Sequence, residues 1–392
     1  MMRFFTLTTS EIDDTQAAIA EITEQLDAQS SLLAHSMGLL SCYSDFIEGE
    51  VISALRDALP FEFVGTTTLG TAAPNTDSLV GLTILVLTSD DISFVTGLSE
   101  PIVDEDVDVV ARAYAEAIGK ADAAARPTLM FSYAPLLMNV GGDYFVNTLT
   151  EISGNVPNFG TISMDDTIDY HNSHVIFNGE LHKDRLAFVL VLGDIKPRFR
   201  FASISKEKIF RDKGVVTSSE GNQLHKINDM SVEDYLLSLG LAKGEDGAIM
   251  GINSFPFIVD YNDGTKPVVR IMFAITPEGY AVCGGDIPEG ATLSVGSIDG
   301  NEVVKATGDL LRDILAEGSI GALLIFSCGG RYFSLGYGSE REALEVRGLL
   351  EGAGIPYTLT YSGGEICPAY VTKDAKATTN RFHNDTFAVC IF

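Results

Sequence analysis

Apolar positions along the chain form short runs of strand length that alternate with stretches at helical spacing. Residues 37–41, 61–64, 82–87 and 92–95 are strand-like, and Ile47, Val51, Leu55 and Leu59 recur on one helix face. Asp104–Lys120 carries Val107, Val110, Ala111, Tyr114 and Ile118 at helical spacing, which predicts a crossover helix. The pattern then restarts: strand 128–133, helix 144–152, a strand 156–159 ending at Gly160, and strands 175–177, 186–192 and 198–203. It restarts again with strand 322–328 and helix 339–352. A strand beginning at Ile355 then leads into Gly363-Gly364-Glu365, and a closing strand spans 386–392. Each opening strand ends in a hydrophobic–Ser–Cys/Tyr step: Leu40-Ser41-Cys42, Phe131-Ser132-Tyr133 and Phe326-Ser327-Cys328. Together these cues predict an α/β fold of internally repeated β-α-β-β units, forming mixed sheets flanked by helices. Such a repeat would gather the Ser-Cys/Tyr strand ends on one side of a sheet, where loops commonly bind ligands.

A length of 392 residues suits two domains, 1–205 and 206–392. The expected boundary coincides with a basic stripe. Lys183–Lys213 holds nine of the 26 basic residues, read either as charges guarding a sheet edge or as a landing site for an acidic surface. Asn262-Asp263-Gly264 and Asp299-Gly300-Asn301 read as hairpin turns, and Gly284–Gly290 reads as turns lacking phosphate-loop spacing.

Charge narrows the partners. The net charge of −28 opposes nucleic-acid phosphate and anionic lipid. The N-terminus has no signal-peptide pattern and no apolar run reaches membrane length, so a cytoplasmic, soluble protein is expected. Five widely spaced cysteines with no CxxC fit a reducing compartment and encode neither a zinc knuckle nor a redox pair. His171 and His174 beside Asp165, Asp166 and Asp169 are read as an exposed loop rather than a metal site.

Three segments carry candidate chemistry. In Phe326-Ser327-Cys328-Gly329-Gly330-Arg331 the glycines permit close backbone approach and Arg331 offers a fork matched to a carboxylate. In Tyr361–Pro368, Glu365 follows paired glycines. If Arg331 and Glu365 face one pocket, they form a bipolar site for the carboxylate and ammonium of an amino acid; the equal alternative is a mutual salt bridge. His383, Asn384 and Thr386 can complete a hydrogen-bond shell, or form an Asn/Asp turn before the last strand. Cys328 as the nucleophile of a thiol enzyme needs a base or cation beside it, for which His383 or Arg331 are candidates. No GxSxG, Walker A or HExxH occurs.

These segments resemble the FIST family over nearly the whole chain. The FIST-N-like pattern is Phe63–Gly70, Gly160-Thr161 with Asp165-Asp166, and Val175–Glu180. The FIST-C-like pattern is Val269-Arg270, Ile287–Gly290, Phe326–Arg331, Gly364-Glu365, and His383-Asn384 with Thr386. The stretch Gly65–Gly70 departs from the family's usual Gly-Cys-Ser-Thr-Ala-Gly-Glu in lacking both the cysteine and the glutamate. The resemblance implies a non-enzymatic, cofactor-free sensory module for bacterial signalling. It would bind a small molecule, an amino acid or similar small acid, with Arg270, Ser327, Cys328, Arg331, Glu365, His383, Asn384 and Thr386 around it. No output domain is read in the sequence, so the signal is expected to pass in trans to a partner such as a histidine kinase, a cyclase or a chemotaxis component. Two alternatives accompany it: a haem-based nitric oxide sensor, implied by some relatives, and the Cys328-dependent thiol enzyme.

Overall fold

A strand buried on both faces reads as an unbroken apolar run, and the run 82–87 becomes such a strand. The computed structural model describes residues 1–29, 32–121, 125–167, 169–245, 247–370 and 378–392. The first unit comprises β1 (Met2–Thr9), α1 (Thr15–Ala28), β2 (His35–Tyr43), α2 (Val51–Ala58), β3 (Glu62–Thr68), β4 (Gly70–Ala72) and β5 (Leu82–Ser89). β5 is buried along its whole length, because it lies between β1 and β2 with helices on one face and the core on the other. The second unit repeats the plan: β6 (Ser93–Leu98), α3 (Val107–Lys120), β7 (Pro127–Ala134), α4 (Gly142–Ser153), β8 (Asn158–Ile162), β9 (Val175–Phe177), β10 (Glu180–His182) and β11 (Ala187–Leu192). α4 stops at Gly154, whose φ of +67° suits the left-handed end of a helix.

The third unit opens with β12 (Arg198–Ala202) and is interrupted by a β-rich insert. The insert contains β13 (Ile209–Glu220), β14 (Gln223–Ile227), β15 (Met230–Ser231), α5 (Val232–Ser238), β16 (Phe257–Asp260), β17 (Val268–Arg270), β18 (Met272–Ile275), β19 (Ala281–Cys283) and β20 (Thr292–Gly296). It has its own apolar cluster around Leu224, Tyr235, Phe257 and Leu293. The unit resumes with α6 (Gly300–Ala316), β21 (Leu323–Cys328), α7 (Gly329–Ser334), α8 (Arg341–Leu350), β22 (Tyr357–Ser362), β23 (Glu365–Tyr370), β24 (Thr378–His383) and β25 (Phe387–Ile391). Asp299-Gly300-Asn301 is not a hairpin turn. Asp299 caps α6, accepting the amides of Asn301 and Glu302; an Asp-Gly step serves a helix start as readily as a turn.

The repeat is borne out strand by strand. In each unit a parallel pair (β2/β3, β7/β8, β21/β22) carries an antiparallel closing strand on one side (β5, β11, β25). On the other side the neighbour comes from a different unit: β9 pairs with β3, β23 with β8, and β4 with β22. Three sheets thus exchange strands in a ring, in the orders β1-β5-β2-β3-β9-β10, β24-β23-β8-β7-β11-β6 and β12-β25-β21-β22-β4. Strands from either side of position 205 therefore share sheets. The inner faces meet in one core containing Leu39, Leu85, Phe131, Phe159, Leu324 and Phe326, where Phe159 stacks on Phe326 at 5.2 Å. The outer faces are covered by α1 and α2, by α3 and α4, and by α6 and α8.

Within the basic stripe, Arg198 and Arg200 lie on the edge strand β12 and grip Glu317 at 2.6 and 2.9 Å. Among the described residues no helix is long and apolar enough to cross a membrane.

Candidate functional site

Seven of the eight expected site residues gather where β21 and β22 end and the β24–β25 turn returns. Arg331, in the first turns of α7, is fully buried. Its Nε and Nη2 donate to Glu342 Oε1 at 3.1 and 2.6 Å. Nη2 also reaches Thr307 Oγ1 at 2.7 Å and the Val303 carbonyl at 3.0 Å, and Nη1 donates to the Ser203 carbonyl at 3.2 Å. Ser327 donates to the other Glu342 oxygen at 2.8 Å. The guanidinium fork is thus occupied by Glu342 of α8, and no ion pair joins Arg331 to Glu365. The paired glycines serve packing. A Cβ at Gly330 would stand 2.1 Å from Asp385 Oδ1, and one at Gly329 2.7 Å from Met164 Sδ.

Glu365 lies on β23, opposite Thr161 on one side and His383 on the other, and both its oxygens lack a hydrogen-bond partner. Burial pushes its pKa well above the usual 4.5; Arg331 opposes the shift and Asp385 adds to it. Asp385, at φ +45°, is pushed to about 7 by burial, with Arg331 again opposing. His383 faces the Cys367 carbonyl through Nε2 at 3.2 Å, and burial lowers its pKa to about 3, so the ring is neutral. Asn384 donates to the His383 carbonyl at 3.2 Å. Thr386 donates to the Asn384 carbonyl at 2.7 Å and shares a 2.7 Å bond with Ser203.

Cys328 touches the same cluster. Burial, then Glu365 and Asp385, raise its pKa well above 9, the opposite of what a nucleophilic thiolate requires. All five cysteines are buried and free. Iodoacetamide should therefore modify none of them in the folded protein and all five once it is unfolded in denaturant, as read by intact mass.

Arg270, the eighth residue, lies apart on β17 of the insert. It too is fully buried, donating to Asp143 Oδ1 (3.1 Å), the Tyr261 hydroxyl (2.7 Å), the Asp286 carbonyl (3.0 Å) and the Phe382 carbonyl (2.9 Å). It thereby braces, from behind, the wall of a cleft of about 480 Å³ between the insert, α4 and β24, lined among others by Asp143, Asn147, Tyr261, Asp286, Glu289 and Arg381. Asp143 also accepts the Asp286 amide at 2.8 Å. Among the described residues the Asp286 carboxylate makes no hydrogen bond, and its Oδ1 lies beside Gly221. Burial, with Asp143 adding and Arg270 opposing, pushes its pKa to about 6. Arg381 pairs with Asp263 and lies over the Tyr261 ring at 4.4 Å, while its Nε is buried without a partner.

Sequence reasoning missed Glu342, Asp143, Tyr261, Asp286 and Arg381. One usable signal was present: Gly284-Gly285-Asp286, read as turns, carries a glycine because a Cβ at 285 would stand 2.5 Å from Asp143 Oδ2 and 2.9 Å from Arg270 Nε. Of the loop acids near His171, Asp166 accepts from Ser44 at 2.7 Å and Asp169 pairs with His171 at 2.7 Å. Among the described residues no three His, Cys, Asp or Glu side chains converge to hold a metal ion.

Haem iron needs an axial ligand. His383 is sealed against Cys367. Neither this cleft nor a second of about 560 Å³, lined by Thr8, Glu21, Gln25 and Asp77, has a histidine or cysteine in its wall. These residues do not fit haem.

A search of the curated proteins finds no match. Among solved structures, "T. maritima PurL complexed with ATP" aligns at 8% identity and TM-score 0.19, covering 100% of this chain and 71% of that one. "Structure of PurLQS from Thermotoga maritima" aligns at 9% and 0.21, covering 100% and 72%. At these scores neither likeness bears on fold or function. Family comparison is decisive: residues 36–230 match the FIST N domain and residues 232–368 the FIST C domain. With both domains present in order, the chain belongs to the FIST family, whose domains are sensory modules of signal transduction.

Proposed function

We propose that this protein is a sensor that binds an amino acid or similar small polar acid in the cleft between the insert, α4 and β24. Occupancy would then pass to a signalling partner such as a histidine kinase, a cyclase or a chemotaxis component. The observation that carries the reading is an acid and an arginine, Asp286 and Arg381, in the wall of one cleft of about 480 Å³, with no ion pair between them among the described residues. Asp286 receives the ligand ammonium; the Arg381 guanidinium and the Asn147 amide receive its carboxylate. Arg270 does not touch ligand but holds Asp143, Tyr261 and the Asp286 backbone in place. The walls come from three parts of the fold, so a bound ligand favours one arrangement of insert against sheet, which is how binding becomes a signal.

A thermal-shift screen of the amino acids and small carboxylic acids tests this, because a ligand of the folded state raises the melting temperature by mass action. At least one amino acid should raise it, and Asp286→Asn should remove the rise while leaving the unliganded melting temperature unchanged or higher. Affinity should fall as Asp286 takes up its proton. With a pKa of about 6, binding at pH 5 should be roughly tenfold weaker than at pH 7, since only the ionised fraction is competent. Binding that persists in Asp286→Asn would place the ligand elsewhere.

A further inference from the structure

The cluster at the β24–β25 turn has a chemical asymmetry that the cleft reading does not use. Five buried side-chain atoms there have no hydrogen-bond partner: Glu365 Oε1 and Oε2, His383 Nδ1, Asn384 Oδ1 and Asp385 Oδ2. All five are acceptors. His383 Nε2 faces a carbonyl, which can only accept, so the ring proton sits on Nε2 and Nδ1 presents a lone pair. Asn384 uses its NH₂ on the His383 carbonyl, which leaves Oδ1 outward.

Acceptors buried together without donors disfavour one another, and an ionised carboxylate among them is costlier still. The surrounding elements do not supply the missing donors. α7 brings Arg331, whose fork is held by Glu342 of α8, itself a further negative charge near Glu365. β8 brings Thr161, whose hydroxyl is already engaged by Ser362 and the Gly364 carbonyl. β12 brings the Phe201 ring against His383 at 4.6 Å, with Lys266 lying over that ring at 5.3 Å. β21 brings the Cys328 thiol, a weak donor, and the turn itself brings the Thr386 amide, which favours ionised Glu365 but is outweighed by burial. Burial keeps His383 neutral, and Arg270 and Arg381 add to that effect. The simplest donor this arrangement admits is a proton on a carboxyl.

We propose that Glu365 and Asp385 form an internal proton-binding site. At neutral pH a carboxylic acid there closes the hydrogen-bond shell, and its loss at alkaline pH loosens the Asn384–Thr386 turn. That turn joins β24, which carries Arg381 of the cleft wall, to β25 in the middle of the third sheet. The sign follows from the upward shifts of both acids. The folded state holds the proton better than the unfolded chain. The associated stability is therefore full below the ordinary carboxylate range and is lost as pH rises through about 7, where Asp385 titrates.

The test is infrared spectroscopy of the full chain in D₂O between pH 6.5 and 8.5, paired with melting temperature. A protonated-carboxyl carbonyl band should be present at pH 6.5 and fade toward pH 8.5, while the melting temperature falls by several degrees. Glu365→Gln and Asp385→Asn should each diminish the band and flatten the pH dependence, and Asp385→Asn should melt higher than the parent at pH 8.5. Asn is at home at the φ of +45° there, so this variant keeps the test alive if Glu365→Gln fails to fold. A spectrum without the band at pH 6.5, or a band that both substitutions leave untouched, overturns the proposal. No cleft ligand enters the experiment, so its outcome is separate from that of the sensor reading.

Discussion

Glu342→Gln should lower the stability of the protein by about 3–5 kcal/mol, measured by urea denaturation at pH 7. The substitution keeps the shape of the side chain but removes the charge facing Arg331, which is fully buried and lies 2.6 Å from Glu342 Oε1. An arginine cannot discharge itself, and the other groups it donates to, at Thr307, Val303 and Ser203, are neutral acceptors, while Glu365 and Asp385 nearby make no ion pair with it. An uncompensated buried cation is the source of the loss. The companion variant Glu342→Met with Arg331→Met should recover most of it, since replacing both members by apolar groups removes the desolvation cost along with the attraction. If Glu342→Gln is silent, the guanidinium has another counter-ion and this pair does not anchor α7 to α8. The result also bears on ligand studies: loss of binding in Arg331→Ala would reflect damage to the third unit, whereas Asp286→Asn probes the cleft directly.

Gly160→Ala should destabilise by about 3 kcal/mol or more, and Gly65→Ala should behave alike. These glycines lie on the second strands β8 and β3, beside the central strands β7 and β2. A Cβ at 160 would fall 2.1 Å from the Ser132 carbonyl oxygen and 2.4 Å from Ser132 Oγ; one at 65 would fall 2.1 Å from the Leu40 carbonyl oxygen. The nearest obstructing atom in each case is a backbone oxygen of a strand buried on both faces, so relief requires shifting a sheet rather than turning a side chain. Gly119→Ala is the control. That glycine lies in α3 with nothing within 4 Å of its Cβ position, and alanine there should stabilise by about 0.5–1 kcal/mol through helix propensity alone.

The elements of the three units were legible because buried strands and one-sided helices leave their period in the sequence. The runs at 82–87, 186–192 and 322–328 became β5, β11 and β21 with ends shifted by a residue or two. The Ser-Cys/Tyr steps marked equivalent strand ends in all three units. Partnership was not legible. β4 and β9 have three residues each, and nothing in Gly70–Ala72 says that it pairs with β22, nearly 300 residues later. For the same reason the counter-ion of Arg331 was hidden: Glu342 sits in a helix whose other acid, Glu345, pairs with Arg312 near the surface, and only tertiary packing turns Glu342 fully inward. The cleft draws on residues 143, 261, 286 and 381, from four segments with no local signature in common. Seven of the eight residues marked by the FIST resemblance cluster in space, with Arg270 apart on the insert. In the structure two of the eight are ion-paired arginines and the rest form a sealed polar core, while the open cleft lies one layer away across β24.

The ring of exchanged strands also constrains how the chain can be made. As synthesis proceeds from the N-terminus, β3 waits for β9 before its edge is covered, and β8 waits for β23, more than 200 residues further on. A nascent chain that has emerged only as far as the FIST N domain therefore carries an unsatisfied row of amides and carbonyls along β8, the kind of edge that recruits other chains. Completion comes nearly at once, when β22 through β25 arrive and close two of the three sheets together. Such long-range closure predisposes the polypeptide to fold slowly and as a whole, and makes the newly translated half a natural client for chaperones.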